Sequence, residues 1–114
     1  ERFVQVPEGL PRNARYLALT VAGDSMTPLM HSDDVVLVKL GQELARDAIV
    51  VAWHPDHGYV VKCVGNLRGG GVELLSVNPE FPPITILRQP SLILGTVLAR
   101  WCAHEVAEGG ETPA

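Results

Sequence analysis

Short apolar runs separated by turn-forming residues cover most of the chain, at residues 2–6, 16–22, 35–40, 48–54, 59–65, 71–77, 84–87 and 92–101. Each run is rich in Val, Ile and Leu, and the breaks carry Gly, Pro, Asn and Asp. That rhythm predicts eight strands of a mainly β domain with little helix. Asn66-Leu67-Arg68-Gly69-Gly70-Gly71 reads as a hairpin loop whose glycines can take φ > 0, and Pro55-Asp56-His57-Gly58 reads as another. Within residues 41–47, Gln42-Glu43-Leu44-Ala45-Arg46 suits one helical turn. Residues 105–114 are polar, acidic and rich in breakers, which predicts a flexible tail behind a single domain spanning residues 1–104.

Composition narrows the classes. A chain of 114 residues that is 46% apolar can bury a modest core, and with only 5% aromatics that core has to be aliphatic. A net charge of −4 without any basic run argues against a grip on phosphate backbones by this segment. The longest apolar stretches, 35–38 and 48–53, fall far short of the roughly 20 residues that span a bilayer, and no charged-then-apolar leader precedes them. A soluble, cytoplasmic protein is therefore expected. Cys63 and Cys102 lack metal or redox spacing and read as reduced thiols filling core or interface. His54 and His57 are three apart around a hairpin turn with no convergent third ligand, so they read as solvated loop residues; no metal or cofactor is called for.

Two residues speak to chemistry. Ser25 lies in Gly23-Asp24-Ser25-Met26-Thr27-Pro28, just past the apolar run 16–22 and before a proline that stops any strand, so its hydroxyl is expected at a strand exit. There the backbone N–H groups of Ser25 and Met26 are candidate oxyanion donors. Lys62 lies within Tyr59-Val60-Val61-Lys62-Cys63-Val64, where strand alternation puts it on the same face as Val60 and Val64. Seven arginines but only two lysines occur in the chain, and Lys62 has no polar exit beside it as Lys39 does. Burial disfavours the ammonium form, and a neutral amine can act as general base toward a serine. A lysine whose stem covers the valines while its head reaches water is the bland alternative. Asp24 adjoins Ser25, but consecutive side chains in extended backbone point opposite ways, which favours a turn role over a catalytic triad.

Three ordered blocks carry a resemblance: Gly23-Asp24-Ser25-Met26-Thr27-Pro28 running into Asp34-Val35-Val36-Leu37-Val38, then Val60-Val61-Lys62, then Glu73-Leu74-Leu75-Ser76-Val77-Asn78-Pro79-Glu80-Phe81-Pro82-Pro83-Ile84. They resemble the C-terminal self-cleaving domain of LexA-type repressors, lambda-type phage repressors and UmuD-like proteins, over residues 3 to 101. The separation of 37 residues between Ser25 and Lys62 also fits that family. The resemblance implies a LexA/signal-peptidase-like fold of coiled antiparallel sheets, Ser25 as nucleophile and Lys62 as general base. It further implies a homodimer seamed along Leu92 to Trp101, and a substrate that is the protein's own upstream loop. Stimulation by RecA filaments and DNA binding through a separate N-terminal region complete that picture.

Two positions depart from the family pattern. Relatives commonly carry a threonine two residues before the lysine, where this chain has Val60, and His31-Ser32-Asp33-Asp34 replaces a Gly-Asp turn. If that turn needs φ > 0, Asp33 tolerates it better than a branched residue. The Ala-Gly dipeptide usually cut in relatives occurs here only as Ala22-Gly23, too close to reach Ser25, and the chain opens on Glu1. A piece of a longer protein is the resulting expectation. Two other readings stay open: a dimerising or sensing module whose dyad is idle, and a protease related to signal peptidase.

Overall fold

The computed structural model describes residues 2–3, 7–105 and 107–108. Its strands are β1 (Arg2–Phe3), β2 (Tyr16–Thr20), β3 (Val35–Leu40), β4 (Ile49–His54), β5 (Gly58–Val64), β6 (Gly71–Leu75), β7 (Ile84–Leu87), β8 (Ile93–Trp101) and β9 (Ala107–Glu108). Seven of them form one sheet in the order β2-β3-β8-β4-β5-β6-β7, and β1 pairs with β9. Every pairing is antiparallel. The mainly β class with little helix is what the apolar rhythm predicts.

The central strands are apolar on both faces, which is why their sequences run continuously rather than alternating. Val50 and Ala52 of β4 join Val64, Val72, Leu74, Ile86 and Ile93 in one core, with Val60 packed against it. Val51 of β4 faces the other way and joins Val21, Met26, Met30, Val36 and Val38 in a second core, against which Val61 and Cys63 pack. Alternation along β5 thus deals Val60 and Val64 to the first core and Val61 and Cys63 to the second. Two register shifts, between Leu37 and Val38 against β8 and between Val51 and Ala52 against β8, bend the sheet between these cores.

β8 sits inside the sheet for part of its length. Residues 93–96 lie against β4 on one side, while residues 95–101 pair with β3 on the other, so beyond Thr96 the ladder to β4 ends. The strand expected to seam a dimer is therefore interior over its first half. Both hairpins follow the turn residues: Gly58 closes the β4–β5 turn at φ 73 and Gly69 sits in the β5–β6 loop at φ 63.

One expectation is corrected. Residues 41–47 hold no helical turn; they cross as an irregular loop closed by a turn in which the Ala48 N–H donates to the Ala45 carbonyl. Asp47 takes φ 69 and donates its N–H to Val64 O, and Leu44 packs on the first core, so anchoring to the sheet overrides the local helix preference of Glu43 to Arg46. In the stretch expected to be a flexible tail, Ala107–Glu108 is a strand paired with Arg2–Phe3. The rest of that stretch, from Gly109 on, lies outside the described residues, as do residues 4–6 of the first expected strand.

At Gly95 the sheet leaves no room for a side chain. The residue faces Leu40 on one side and Val51 on the other, and a Cβ there would run into the Lys39 carbonyl and the Val38 Cγ1 methyl. Gly95→Ala is expected to destabilise the domain by about 2 to 3 kcal/mol in urea unfolding, whereas Gly70→Ala, which meets open space, is expected to change stability by less than about 0.5 kcal/mol. Equal midpoints for the two variants would refute this account of the sheet crossing.

Candidate active site

Beyond β2 the chain stays tied to β3 for one more rung, with Val21 N–H donating to Asp34 O at 2.8 Å and Asp33 N–H donating to Val21 O at 2.9 Å. Gly23 then turns the backbone at φ 80, a left-handed value that a side chain would oppose. The Asp24 carbonyl accepts from the Thr27 N–H at 3.1 Å, the Thr27 hydroxyl at 2.9 Å and Asn78 Nδ2 at 3.2 Å. Asp24 thus acts through its backbone, with its side chain outside the turn. Met26 and Met30, each 2% exposed, plug the turn into the second core, and this anchoring leaves half-buried Ser25 facing a cleft. The N–H groups of Ser25 and Met26 meet no acceptor among the described residues, although Met26 is almost wholly withdrawn from water. A buried N–H left open in this way is costly, and native structures rarely keep one.

The turn is fixed from the far side by the connector after β6. Asn78 N–H donates to Ser25 O at 2.9 Å, and Asn78 Nδ2 also reaches Thr27 Oγ1 at 3.1 Å, while Asn78 Oδ1 accepts from Glu80 N–H at 3.0 Å. Every polar group of the Asn78 side chain is committed, and two segments 50 residues apart become one unit. The departure at residues 31–34 is absorbed locally. Asp33 takes φ 76, so it does adopt the conformation that glycine would favour. Buried Asp34 accepts from His31 N–H at 2.9 Å and Ala103 N–H at 3.2 Å and lies 3.5 Å from the Arg100 guanidinium. That carboxylate ties the end of the serine turn to the end of β8.

Lys62 is only 8% exposed. Its Nζ donates to Ser76 Oγ at 2.7 Å and lies 5.9 Å from the centre of the Phe81 ring. Burial pushes the amine below the usual lysine range. Ser25 and Lys62 line one cleft of about 280 Å³, together with Val60, Phe81, Pro82 and Ile84. A second lobe of about 530 Å³, walled by Leu17, Leu19, Met26, Tyr59, Val61 and Leu94, opens on the other side of Ser25. Ala22, Ser25, His57 and Val60 border both lobes. The structure brings the serine and the lysine to one cleft, and the bond made by the amine goes to Ser76.

Sequence reasoning quoted Ser76 and Asn78 only as parts of a motif and assigned neither a task. The role of Ser76 is visible only once the β5–β6 register is known. His57 is an exposed loop residue whose ring lies 4.5 Å from that of His54, and it also borders the cleft, which its sequence position does not reveal. Among the described residues no group of three or more His, Cys, Asp and Glu is placed to hold a metal ion, and no helix is long and apolar enough to cross a membrane. Cys63 packs in the second core, where burial and the neighbouring Asp47 charge raise its thiol pKa.

A family model described as Peptidase S24-like matches residues 1–98 of the chain. No curated protein matches it.

A lysine held below its unfolded pKa binds fewer protons in the native state, so its stabilising share is complete above the unfolded pKa and lost as pH falls through the native one. Lys62→Met is therefore expected to raise the thermal midpoint at neutral pH, with the advantage shrinking as pH climbs from the native pKa toward the ordinary lysine range. Calorimetry across that range checks it, and a variant less stable than the parent at every pH contradicts the buried-amine assignment.

Proposed function

The chain belongs to the Peptidase S24-like family of self-cleaving serine peptidases, the C-terminal peptidase domain of LexA, UmuD and phage repressors, and on that premise we propose that it is the autoproteolysis and dimerisation domain of a LexA-like or phage-type repressor. The observation that carries the reading is the buried Lys62 amine opening on the same cleft as Ser25. In its neutral form Lys62 takes the proton of Ser25 Oγ as that oxygen attacks a peptide carbonyl. The N–H groups of Ser25 and Met26 receive the negative oxygen of the tetrahedral intermediate, which is the use that their missing acceptors suggest. Lys62 then returns the proton to the leaving amine, leaving an ester on Ser25, and a water deprotonated by Lys62 hydrolyses that ester. Serine and lysine end the cycle unchanged.

The two lobes flanking Ser25 fit an extended peptide crossing the serine with apolar side chains on either side. One of them is walled partly by β2, the terminal strand of the sheet. The substrate in this reading is the protein's own upstream loop. DNA contact belongs to a separate region, and RecA filaments are the trigger by analogy with the family. For the dimer, the part of β8 past Thr96, paired only with β3 among the described residues, is the available seam, with Leu98 44% exposed on it.

A second reading, an idle dyad in a sensing module, draws on Val60 standing where a hydroxyl is common and on Lys62 bonding to Ser76 rather than Ser25. The parent polypeptide with its upstream loop separates the two. Incubated at about pH 9 to 10 it is expected to split into two fragments, with Ser25→Ala and Lys62→Ala each slower by about a thousandfold or more, read by intact mass over time. The rate is expected to rise with pH through the native pKa of Lys62, because the neutral amine is the active form. An uncut parent at every pH favours the sensor. Leu98→Arg is expected to weaken self-association in sedimentation equilibrium while leaving the fold intact; an unchanged dimer constant removes the proposed seam.

A further inference from the structure

The β5–β6 ladder pairs Val64 with Leu74 and Cys63 with Leu75 and ends there; Ser76, the first residue past β6, accepts a hydrogen bond from Lys62 Nζ at 2.7 Å. A lysine side chain is long enough to wander, and holding it in one geometry costs rotamer entropy. Here the amine is held by two groups: the Phe81 ring 5.9 Å from Nζ and the 2.7 Å bond to Ser76 Oγ. Of these only the hydroxyl gives direction. The position that carries a threonine in relatives is Val60, on the same strand as Lys62, and it has nothing to offer the amine.

We propose that Ser76 is a positioning residue that aims the Lys62 amine at Ser25 from the start of the connector that follows β6, in place of the hydroxyl absent at Val60. This rests on the Ser-Lys reading above. A neutral amine has two N–H bonds and one lone pair; committing one N–H to Ser76 fixes the orientation left to the lone pair, which must face Ser25 for proton transfer. The same bond favours the ammonium form, since a charged donor gives the stronger hydrogen bond. Its loss therefore moves the two observables in opposite directions: more of Lys62 is neutral at a given pH, yet cleavage is slower. A residue that merely fills space or tunes the pKa does not have that signature.

The chain has only two lysines, so the side-chain resonances of Lys62 can be followed by NMR across pH with Lys39 as internal reference. The same substitutions are placed in the parent polypeptide for cleavage. For Ser76→Ala the expected result is a titration of Lys62 displaced to lower pH together with self-cleavage slowed about 10- to 100-fold even on the high-pH plateau, where both proteins carry neutral Lys62. Ser76→Thr is expected to keep both the titration and most of the rate. The proposal is overturned if Ser76→Ala cleaves at the parental plateau rate, if its Lys62 titration is unchanged, or if Ser76→Thr is as slow as Ser76→Ala. Lys62→Ala separates the two levels: if it cleaves normally, or if the unaltered parent never cleaves, the dyad itself fails and the role of Ser76 falls with it. Loss of rate in Lys62→Ala beside full rate in Ser76→Ala removes only the positioning role.

Discussion

An amine buried between valine strands is the constraint around which the rest of the molecule is arranged. Taking a lysine head out of water disfavours its charge, and the fold gives it one hydroxyl and one aromatic face in return. Both come from the single connector that follows β6. Ser76 meets the amine, Phe81 covers it, and Asn78 between them fastens the turn bearing Ser25. The two halves of the site arise from strands that are not neighbours, since β5 is separated from β2 by three strands of the sheet. Residues 76–81 bridge that gap, which gives the third sequence block a mechanical reason: it couples the position of the serine to that of the lysine.

The serine turn illustrates how much surrounding structure one exposed hydroxyl requires. Its backbone leaves β2 through a left-handed glycine, its apolar neighbours Met26 and Met30 sink into the second core, and Asp34 fixes the return into β3. The Asp34 carboxylate is buried, yet it has two backbone donors and a guanidinium, so its desolvation is compensated. Arg100 lies at the far end of β8 and Ala103 just beyond it, so the Asp34 carboxylate connects that end to His31 and the serine turn. A partner strand docking past Thr96 would act on the same end.

The strands were legible because sheet-forming segments with both faces buried must be continuously apolar, and Val35 to Val38 and Ile49 to Ala52 are. Lys62 is legible for the same reason, as a lysine in mid-run with valines two residues to either side. Irregular connections were less legible. Residues 41–47 look helical by composition, but Asp47 at φ 69 and its bond to Val64 O are tertiary facts. The interior position of β8 depends on strand order, which periodicity does not encode, and the pairing of Ala107–Glu108 with Arg2–Phe3 joins the two ends of the chain. Ser76 and His57 were invisible as site residues because their relevance comes from register and from the direction of a hairpin.

Val60 and Ser76 show why a motif departure is weak evidence of lost chemistry. A hydroxyl needs to be near the amine, and strand geometry offers two ways to put it there: two residues away on the same strand, or directly across on the next one. Here the hydroxyl near the amine comes from Ser76, the first residue past β6. Cross-strand placement couples the amine to the connector that also holds the serine turn, whereas a hydroxyl at position 60 would depend on β5 alone. The serine turn and the amine are then joined through one stretch of chain: Asn78 bonds to Asp24, Ser25 and Thr27, and Ser76, two residues before it, bonds to Lys62. Loosening any member of that unit displaces the others, so the site is expected to respond cooperatively to substitutions in it, with effects that do not add.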